Sequence, residues 1–345
     1  MKITKRPPVA FALAVSHRDV DAAMLWLRWA SWLSGCADGD VSGVRLLVML
    51  SMRVPAAVRW EIVRLASARP SFFDTTVATC VDELEIGYPG AASHLFCRTI
   101  EKRDELWPDH ALMFCEADTV PLRPTWAAEI AEDYASRSAP FIGVHIPSTR
   151  DAVERYGMPS THLTGNAIYP PDALSLAPSI RQCLVARLDN GPWAEKGWAW
   201  DLFCAHEIVP ESEETGMIQQ IWRSDPWTPE SLGRLNNSAA LFHQSKDGSL
   251  IYCLAHRNHP GFIESLPCTQ AAFVSEVGHR AVQLGGRSIE MTPVCIIAGR
   301  VWTAAMVRSP LDAALMRSRV GRGVIEIPVD EYHQLMSRRS AYRLD

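Results

Sequence analysis

The stretch that decides the fold is Ala111-Leu-Met-Phe-Cys-Glu-Ala-Asp-Thr-Val-Pro-Leu122. An apolar strand ends there at two carboxylates, Glu116 and Asp118, before a turn at Pro121. Residues i and i+2 of an extended chain point the same way, so the two acids converge on one ligand. Two oxygen donors at a strand end suit Mg²⁺ or Mn²⁺ holding a diphosphate. The alternative is a strand end with solvated acids, because short motifs match often by chance.

Strands and helices alternate around this stretch. The pattern predicts strands at 9–15, 45–50, 72–78 and 111–115, helices at 19–34, 54–68 and 91–106, and later strands at 141–146 and 161–169. Asp19 is placed to cap the first helix and Gly35 to end it. Such alternation is typical of an α/β fold whose mostly parallel sheet is flanked by helices on both faces.

The composition changes near residue 251. Residues 251–345 hold eleven arginines, eight acids and no lysine, a net charge of +3, which leaves −5 − 3 = −8 for residues 1–250. We therefore expect an α/β domain over 1–250 and a small Arg-rich α+β appendage over 251–345. The arginines are consistent with phosphate binding, but a charge of +3 is weak evidence for it, and an ordinary packing module with a basic surface is the favoured explanation.

Composition limits the classes of function. With 48% hydrophobic and 21% charged residues, the 345-residue chain is long and apolar enough for a packed core. A net charge of −5 argues against a general nucleic-acid coat. The nine cysteines contain no Cys-x-x-Cys pair, which predicts neither a zinc site nor a disulfide framework and favours a reducing cytoplasm. The apolar run Val9 to Val15 follows basic residues like a signal peptide, but we interpret it as a buried strand. No segment reaches the roughly 18 apolar residues of a membrane span.

Further polar residues fall where a ligand of such a sheet would bind. Ser16, His17 and Arg18 follow the first strand, at the carboxyl edge that Glu116 and Asp118 also reach. Gly165 interrupts a later strand and leaves backbone open to a ligand. Other candidates are Asp201, which follows Trp193, Trp198 and Trp200, and His243, which ends an apolar strand. Aromatic residues beside an acid suit a sugar or a stacked base, although tryptophans of a core are as common.

The order of these features resembles the GT-A class of nucleotide-sugar glycosyltransferases. In that class an Asp-x-Asp element holds a divalent metal on the donor diphosphate, a glycine lies near the donor, an acid acts as base and a late histidine completes the metal site. Position by position, the resemblance implies Glu116, Asp118 and His243 as metal ligands and Asp201 as the catalytic base. It also implies donor contacts by the following residues: Ser16, His17, Arg18, His94, Glu116, Gly165, Asn166 and Lys246. Glu116 departs from the usual Asp, so Asp118 is the stronger metal candidate.

Three segments are similar in sequence to glycosyltransferase-like proteins encoded by bacteriophages. They are Glu116 to Trp126, Leu163 to Pro170 and Ile218 to Trp222. The likeness covers about residues 9 to 250. It implies a nucleotide-sugar donor, with a UDP-sugar expected first, Mn²⁺ or Mg²⁺ as cofactor and a bacterial host cytoplasm as the location. Some such enzymes glycosylate hydroxymethylated pyrimidines in phage DNA, which makes modified DNA an expected partner.

Alternatives stay open. The acceptor could instead be a surface glycan or a small molecule, and the anomeric configuration could be inverted or retained. A metal-dependent phosphoesterase would use the same residue types, but we expect it to show more clustered ligands such as Asp-x-His. A non-catalytic DNA-binding or scaffold protein could keep a degenerate transferase fold and act through its arginines, among them Arg317, Arg319, Arg322, Arg338 and Arg339.

Overall fold

The computed structural model of the chain describes residues 6–36, 44–67, 73–81, 90–182, 199–221, 226–243, 248–266, 271–278, 281–284, 287–297, 300–307, 310–317 and 323–338. The chain forms two compact units. The first comprises Met1–Ile221 and Asn236–Gln244, and the second comprises Trp222–Leu235 and Ser245–Asp345. The division at Gln244 lies close to the expected boundary at residue 250, but the second unit also takes the segment Trp222–Leu235.

The first unit begins with the predicted alternation. Its elements are β1 (Val9–Val15), α1 (Val20–Gly35), β2 (Arg45–Ser51), α2 (Ala56–Ala66), β3 (Thr75–Val81), α3 (Gly90–Leu106) and β4 (Ala111–Glu116). The remainder is less regular and contains β5 (Val120–Pro121), α4 (Trp126–Ser136), β6 (Phe141–Gly143), β7 (His145–Pro147), α5 (Arg150–Tyr156), β8 (Thr161–Leu163), β9 (Ile168–Tyr169), α6 (Ala173–Leu176), α7 (Ser179–Gln182), α8 (Trp200–Phe203), α9 (Ala205–Ile208), a 3-10 turn (Val209–Glu211), β10 (Ser212–Glu214), β11 (Ile218–Gln220) and β12 (Leu241–His243).

A seven-stranded sheet forms the centre of this unit, in the order β10-β6-β9-β4-β1-β2-β3. β1 runs parallel to β2 and β4, β2 to β3, and β10 to β6. Only β9 is antiparallel to the strands it pairs with in this sheet, β4 and β6. The prediction of an α/β fold with a mostly parallel, helix-flanked sheet is confirmed.

Both faces of the sheet are buried, which explains the continuous apolar runs of its central strands. On one face Phe11 of β1 packs with Trp26 of α1 and Trp126 of α4. On the other face Ala12 of β1 belongs to a cluster that includes Phe96 of α3. Trp26 of α1 is therefore part of the core on this face of the sheet.

Three local predictions differ from the structure. The expected strand 141–146 is split into β6 and β7, and β7 instead forms an antiparallel hairpin with β8. The expected strand 161–169 is likewise split, into β8 and β9. Asp19 precedes α1 but makes no side-chain cap, because its carboxylate accepts a hydrogen bond from the Ser16 hydroxyl. The two strand differences come from a strand pairing that local sequence does not specify, whereas the Asp19 difference comes from a residue only three positions away.

A second, three-stranded sheet of the same unit has the order β11-β12-β5. β12 is antiparallel to β5, with Phe242 opposite Val120, and parallel to β11, with Gln220 opposite His243. Since β5 begins two residues after Asp118, this pairing carries His243 to the end of β4.

The second unit has the predicted α+β character. It contains a 3-10 helix (Pro229–Arg234), α10 (Ser249–Asn258), α11 (Pro260–Ser265), β13 (Ala271–Ser275), β14 (Ala281–Leu284), β15 (Arg287–Glu290), β16 (Thr292–Ile297), β17 (Arg300–Val307), α12 (Pro310–Arg317), β18 (Val324–Ile327) and α13 (Val329–Arg338). An antiparallel sheet has the order β16-β17-β13-β18, and β14 and β15 form a hairpin. In the described parts of both units, no helix has the length and apolar character needed to cross a membrane.

Candidate active site

The carboxyl ends of β1 and β4 lie side by side, because Ala14 pairs with Glu116. Ser16, His17 and Arg18 follow β1 directly and so begin at the same edge of the sheet as the acid pair. Ser16 and His17 are half-buried and Arg18 is exposed. The Ser16 hydroxyl accepts a hydrogen bond from the backbone N–H of Arg18, which shapes this loop. Their role as donor contacts stays a prediction.

Glu116, Asp118 and His243 form a cluster. The Nε2 atom of His243 lies 3.0 Å from Glu116 Oε2 and 3.3 Å from Asp118 Oδ1. One ligand atom from each of the three residues lies within 4.8 Å of the others, and within the described ranges no other group of three or more acids, histidines and cysteines is close enough to share an ion. The three predicted metal ligands are therefore brought together.

The electrostatics of His243 suit a cation at this point. Burial lowers the pKa of His243, but its hydrogen bonds to Asp118 and Glu116 outweigh that effect and raise the pKa to about 9. At neutral pH both ring nitrogens are therefore protonated, and the positively charged imidazolium lies between two carboxylates. Nδ1 donates to Gln220 Oε1 at 3.1 Å. With Nδ1–H held in this way, loss of the other proton leaves the Nε2 lone pair facing the acids, as a metal ligand requires.

Asn166 supports the turn that carries the acids. Its side chain is wholly buried. Oδ1 accepts hydrogen bonds from the backbone N–H of Glu116 at 2.8 Å and from the Thr119 hydroxyl at 2.7 Å. Nδ2 lies 3.4 Å from Glu116 Oε2. The side chain predicted as a donor contact thus holds the segment Glu116 to Thr119 in place.

The structure explains the glycine at position 165 by packing against Trp200, and not by the open backbone that we expected. A Cβ atom on Gly165 would lie 2.5 Å from the indole ring of Trp200, so this indole takes the space of the missing side chain. Trp200 is itself buried and stacks on Phe96, with ring centroids 4.5 Å apart. Trp200 is therefore a core residue and not an exposed platform for a sugar. Trp193 and Trp198 lie outside the described residues.

Asp201 is the second residue of α8. Its Oδ1 accepts a hydrogen bond from the Leu202 backbone N–H at 3.0 Å, and about a fifth of the side chain is exposed. Burial, followed by the negative charge of Glu116, raises the pKa of Asp201 to about 7. A carboxyl group that changes protonation near neutral pH can accept a proton during a reaction.

His162 is a residue that sequence analysis did not single out. Its Nε2 lies 3.9 Å from Asp201 Oδ2, and burial lowers the pKa of this histidine to about 4. The segment Thr161 to Tyr169 drew attention for its glycine, but nothing in the sequence separates His162 from an ordinary core histidine. The contact joins two residues that are 39 positions apart in the sequence, so no local sequence pattern predicts it.

Two further predicted donor contacts are His94 and Lys246. His94 is buried in α3, where its Nε2 lies 3.5 Å from Arg98 Nε. Lys246 lies outside the described residues, and its role stays a prediction. The two acids of the cluster also differ, since 38% of the Glu116 side chain is exposed but only 13% of Asp118. Which of the two acids is the stronger metal ligand stays a prediction.

The chain matches no family model and no curated protein. It is similar to solved structures of glycosyltransferases at low identity. These include the galactosyltransferase LgtC (8% identity, TM-score 0.41, covering 68% of this chain and 86% of that chain), the bifunctional glycosyltransferase WbbM (10%, 0.46, 75% and 51%) and mouse xyloside xylosyltransferase 1 (12%, 0.40, 69% and 98%). With TM-scores below 0.5, these similarities assign no activity to the chain.

Proposed function

We propose that the chain is a metal-dependent glycosyltransferase, which moves a sugar from a nucleoside diphosphate sugar to an acceptor hydroxyl. The observation that carries this proposal is the cluster of Glu116, Asp118 and His243, with ligand atoms within 4.8 Å of one another at the carboxyl edge of a mostly parallel sheet. This edge is where α/β proteins bind their ligands.

Glu116, Asp118 and His243 would hold the cation. Two carboxylates with one imidazole suit Mn²⁺ better than Mg²⁺, because imidazole is a ligand of transition metals and Mg²⁺ prefers oxygen alone. When bound, the cation supplies Lewis-acid neutralisation of the departing diphosphate. Gln220 keeps Nε2 of His243 directed at the site, and Asn166 keeps the acid-bearing turn in shape.

Asp201 is the proposed base. Its carboxylate takes the proton of the acceptor hydroxyl while the hydroxyl oxygen forms a bond to the anomeric carbon of the sugar. The bond from that carbon to the diphosphate oxygen breaks, and its electron pair leaves with the diphosphate. A base opposite the leaving group would invert the anomeric configuration, and proton NMR of the product distinguishes inversion from retention.

The donor is the first point to test. We expect a UDP-sugar, contacted by Ser16, His17 and Arg18. The experiment is a thermal-shift screen of UDP, GDP, ADP and their sugars, each with and without Mn²⁺ and Mg²⁺. The proposal expects one nucleotide to stabilise the protein, and to do so only with the cation. A protein that responds to none of them is a scaffold or acts on another class of substrate.

The phosphoesterase alternative differs in its product. In the described residues one cluster of three ligands is present, whereas enzymes that use two metal ions need a larger set. A phosphoesterase would hydrolyse the diphosphate bridge of the nucleotide sugar, which gives a nucleoside monophosphate and a sugar 1-phosphate whether or not an acceptor is present. A transferase would instead release nucleoside diphosphate in proportion to glycosylated acceptor. Mass spectrometry of both products separates the two.

For the acceptor, we propose a hydroxymethylated pyrimidine in DNA, on the strength of the resemblance to phage proteins. The target base would have to leave the duplex stack to reach the donor. The arginines of the second unit would contact phosphates, although Arg317 is already paired with Glu326 at 2.8 Å. Arg319, Arg322 and Arg339 lie outside the described residues. Transfer to modified DNA but not to unmodified DNA, with binding that weakens steeply with salt, is the expected result. Transfer to a glycan or a small molecule alone would replace this acceptor.

A further inference from the structure

A second polar chain of contacts reaches Asp201 from the hairpin of β7 and β8. His162 lies on β8, opposite Ile146. Ser148 follows β7 directly, and its backbone N–H donates to Ser160 O at 2.9 Å, which extends the hairpin by one more bond. His162 Nδ1 lies 3.1 Å from Ser148 Oγ, and His162 Nε2 lies 3.9 Å from Asp201 Oδ2. The imidazole thus stands between a hydroxyl and a carboxyl group.

The chemistry of these partners determines the orientation of the proton on His162. Burial keeps the imidazole neutral, so the ring has one N–H and one lone pair. An ionised Asp201 only accepts hydrogen bonds, whereas the Ser148 hydroxyl can donate or accept. The consistent arrangement has Ser148 donating to Nδ1 and Nε2–H directed at Asp201 Oδ2.

We propose that His162, fixed by Ser148, is a positioning residue that aims the carboxylate of Asp201 at the acceptor hydroxyl. This inference rests on the proposed function, because it assigns the geometry of the base in that reaction. Leu202 N–H holds Oδ1 at 3.0 Å, and His162 Nε2 faces the other carboxylate oxygen, Oδ2, from 3.9 Å.

His162 does not itself take the acceptor proton. A buried, neutral imidazole is a weak base. Asp201, and not His162, is the group that receives the proton. In the step described above, the proton passes to Asp201 and stays there until it exchanges with solvent. The 3.9 Å separation is longer than a hydrogen bond, and such contacts commonly shorten when the substrate is bound.

The test is a double-mutant cycle on the full chain. We expect His162→Ala to lower kcat about 10–100-fold, the usual effect of losing an outer hydrogen-bond partner, with the donor Kd unchanged. In an Asp201→Asn background the same change should cost nothing further, because a residue that acts through another loses its effect with it. His162→Gln should recover part of the rate, since its side-chain amide keeps an N–H donor near the position of Nε2.

The same hairpin offers a matched control. His145 lies on β7, where it is half-buried, and its Nε2 is 2.8 Å from Ser212 Oγ, so it too is a histidine paired with a serine. His145→Ala should leave kcat within about twofold of the native value. Loss of rate in both histidine variants alike would show that the hairpin matters only for folding, and would overturn the proposal.

A spectroscopic measurement keeps the inference testable without turnover. The ring ¹⁵N chemical shifts of His162 should report a neutral imidazole protonated at Nε2, and they should change in Asp201→Asn and in Ser148→Ala. Unchanged shifts in both variants would overturn the coupling while leaving the transferase proposal standing. Equal rate losses from His162→Ala with and without Asp201 would do the same. Absence of transfer from every nucleotide sugar by the native chain would overturn the proposed function and this inference together.

Discussion

Asp118 is the residue on which metal binding should depend most. It is more buried than Glu116, and a carboxylate there serves no apolar packing. We expect Asp118→Ala to abolish Mn²⁺-dependent nucleotide binding and His243→Ala to weaken it less, since two oxygen ligands remain. Isothermal titration calorimetry with Mn²⁺ and the nucleotide measures both effects. Glu132→Ala, an exposed acid on α4, is the control and should bind normally. Full Mn²⁺-dependent binding by Asp118→Ala would exclude this metal site.

Asp201 should show opposite effects on stability and on rate. Its pKa is about 7 in the folded protein against an ordinary 3.8, so the folded chain binds this proton more tightly than the unfolded chain. The stabilisation of the folded state by the protonated Asp201 carboxyl group is complete below pH 3.8 and is lost as the pH rises through about 7. Asparagine has no such loss, so Asp201→Asn should melt at a higher temperature than the native protein at pH 8.

The same substitution removes the proposed base, and we expect kcat to fall by roughly 10²–10⁴ with donor affinity near normal. Thermal melts at pH 5 and pH 8, together with steady-state kinetics, check both effects. A lower melting temperature at pH 8 would instead identify Asp201 as a residue that supports the fold. Equal losses of donor affinity and kcat would place it among the donor contacts.

At the residue scale, the sequence predicts the acids more easily than their supports. Glu116 and Asp118 stand out because they end an apolar strand, and that signal is local. The hydrogen bond from Glu116 N–H to Asn166 joins positions 50 apart, and the contact of His162 with Asp201 joins positions 39 apart. Such contacts exist only once the strands have paired, so no periodicity reveals them.

At the scale of elements, the central strands were predictable and the short ones were not. β1, β2 and β4 are buried on both faces and therefore read as continuous apolar runs. The segment 141–147 is also apolar, but it divides between two sheets, since β6 pairs with β9 and β7 pairs with β8. Partner choice is a long-range property, so hydrophobic pattern alone predicts one strand where two exist.

The packing of α8 against the segment before β9 leads to a third prediction. A methyl group on Gly165 would meet the Trp200 ring at 2.5 Å, and this ring is held between Phe96 and Phe114. We expect Gly165→Ala to destabilise the protein by about 1–3 kcal/mol, the usual cost of overpacking a core. It should also lower kcat, because Asp201 follows Trp200 in α8.

Chemical denaturation measures the free energy of unfolding of this variant. Gly35→Ala is the control, because a Cβ atom at the end of α1 meets no atom within 4 Å. A Gly165→Ala protein of native stability would show that Trp200 can move aside. It would also leave the glycine with the role of donor contact that the resemblance implies.

At the scale of the whole molecule, proton and metal binding are linked through His243. Without an ion, the pKa of about 9 means that the stabilisation by the protonated ring is complete below its ordinary pKa of 6.5 and is lost as the pH rises through 9. Nε2 must lose its proton to bind a metal. We therefore expect the Mn²⁺ affinity to rise about tenfold per pH unit between pH 6.5 and 8.5.

The measurement is the shift in melting temperature caused by Mn²⁺ at pH 6.5, 7.5 and 8.5. His243→Ala is the control and should lose most of this pH dependence, because the ring nitrogen that must give up a proton to bind the ion is then absent. A native protein whose Mn²⁺ affinity does not change with pH would show that His243 does not ligate the ion.

A segment of the second unit, Trp222–Leu235, lies in the sequence between the two parts of the first unit, and this order affects folding during synthesis. All seven strands of the large sheet have left the ribosome once Glu214 emerges, but His243 belongs to a segment that follows residues of the second unit. Translation proceeds at about 5–20 residues per second, so the nascent sheet waits some seconds for β12. During that interval Glu116 and Asp118 face each other without the imidazolium that separates their charges. The completion of the site, and not of the sheet, is then the last event in the synthesis of the first unit.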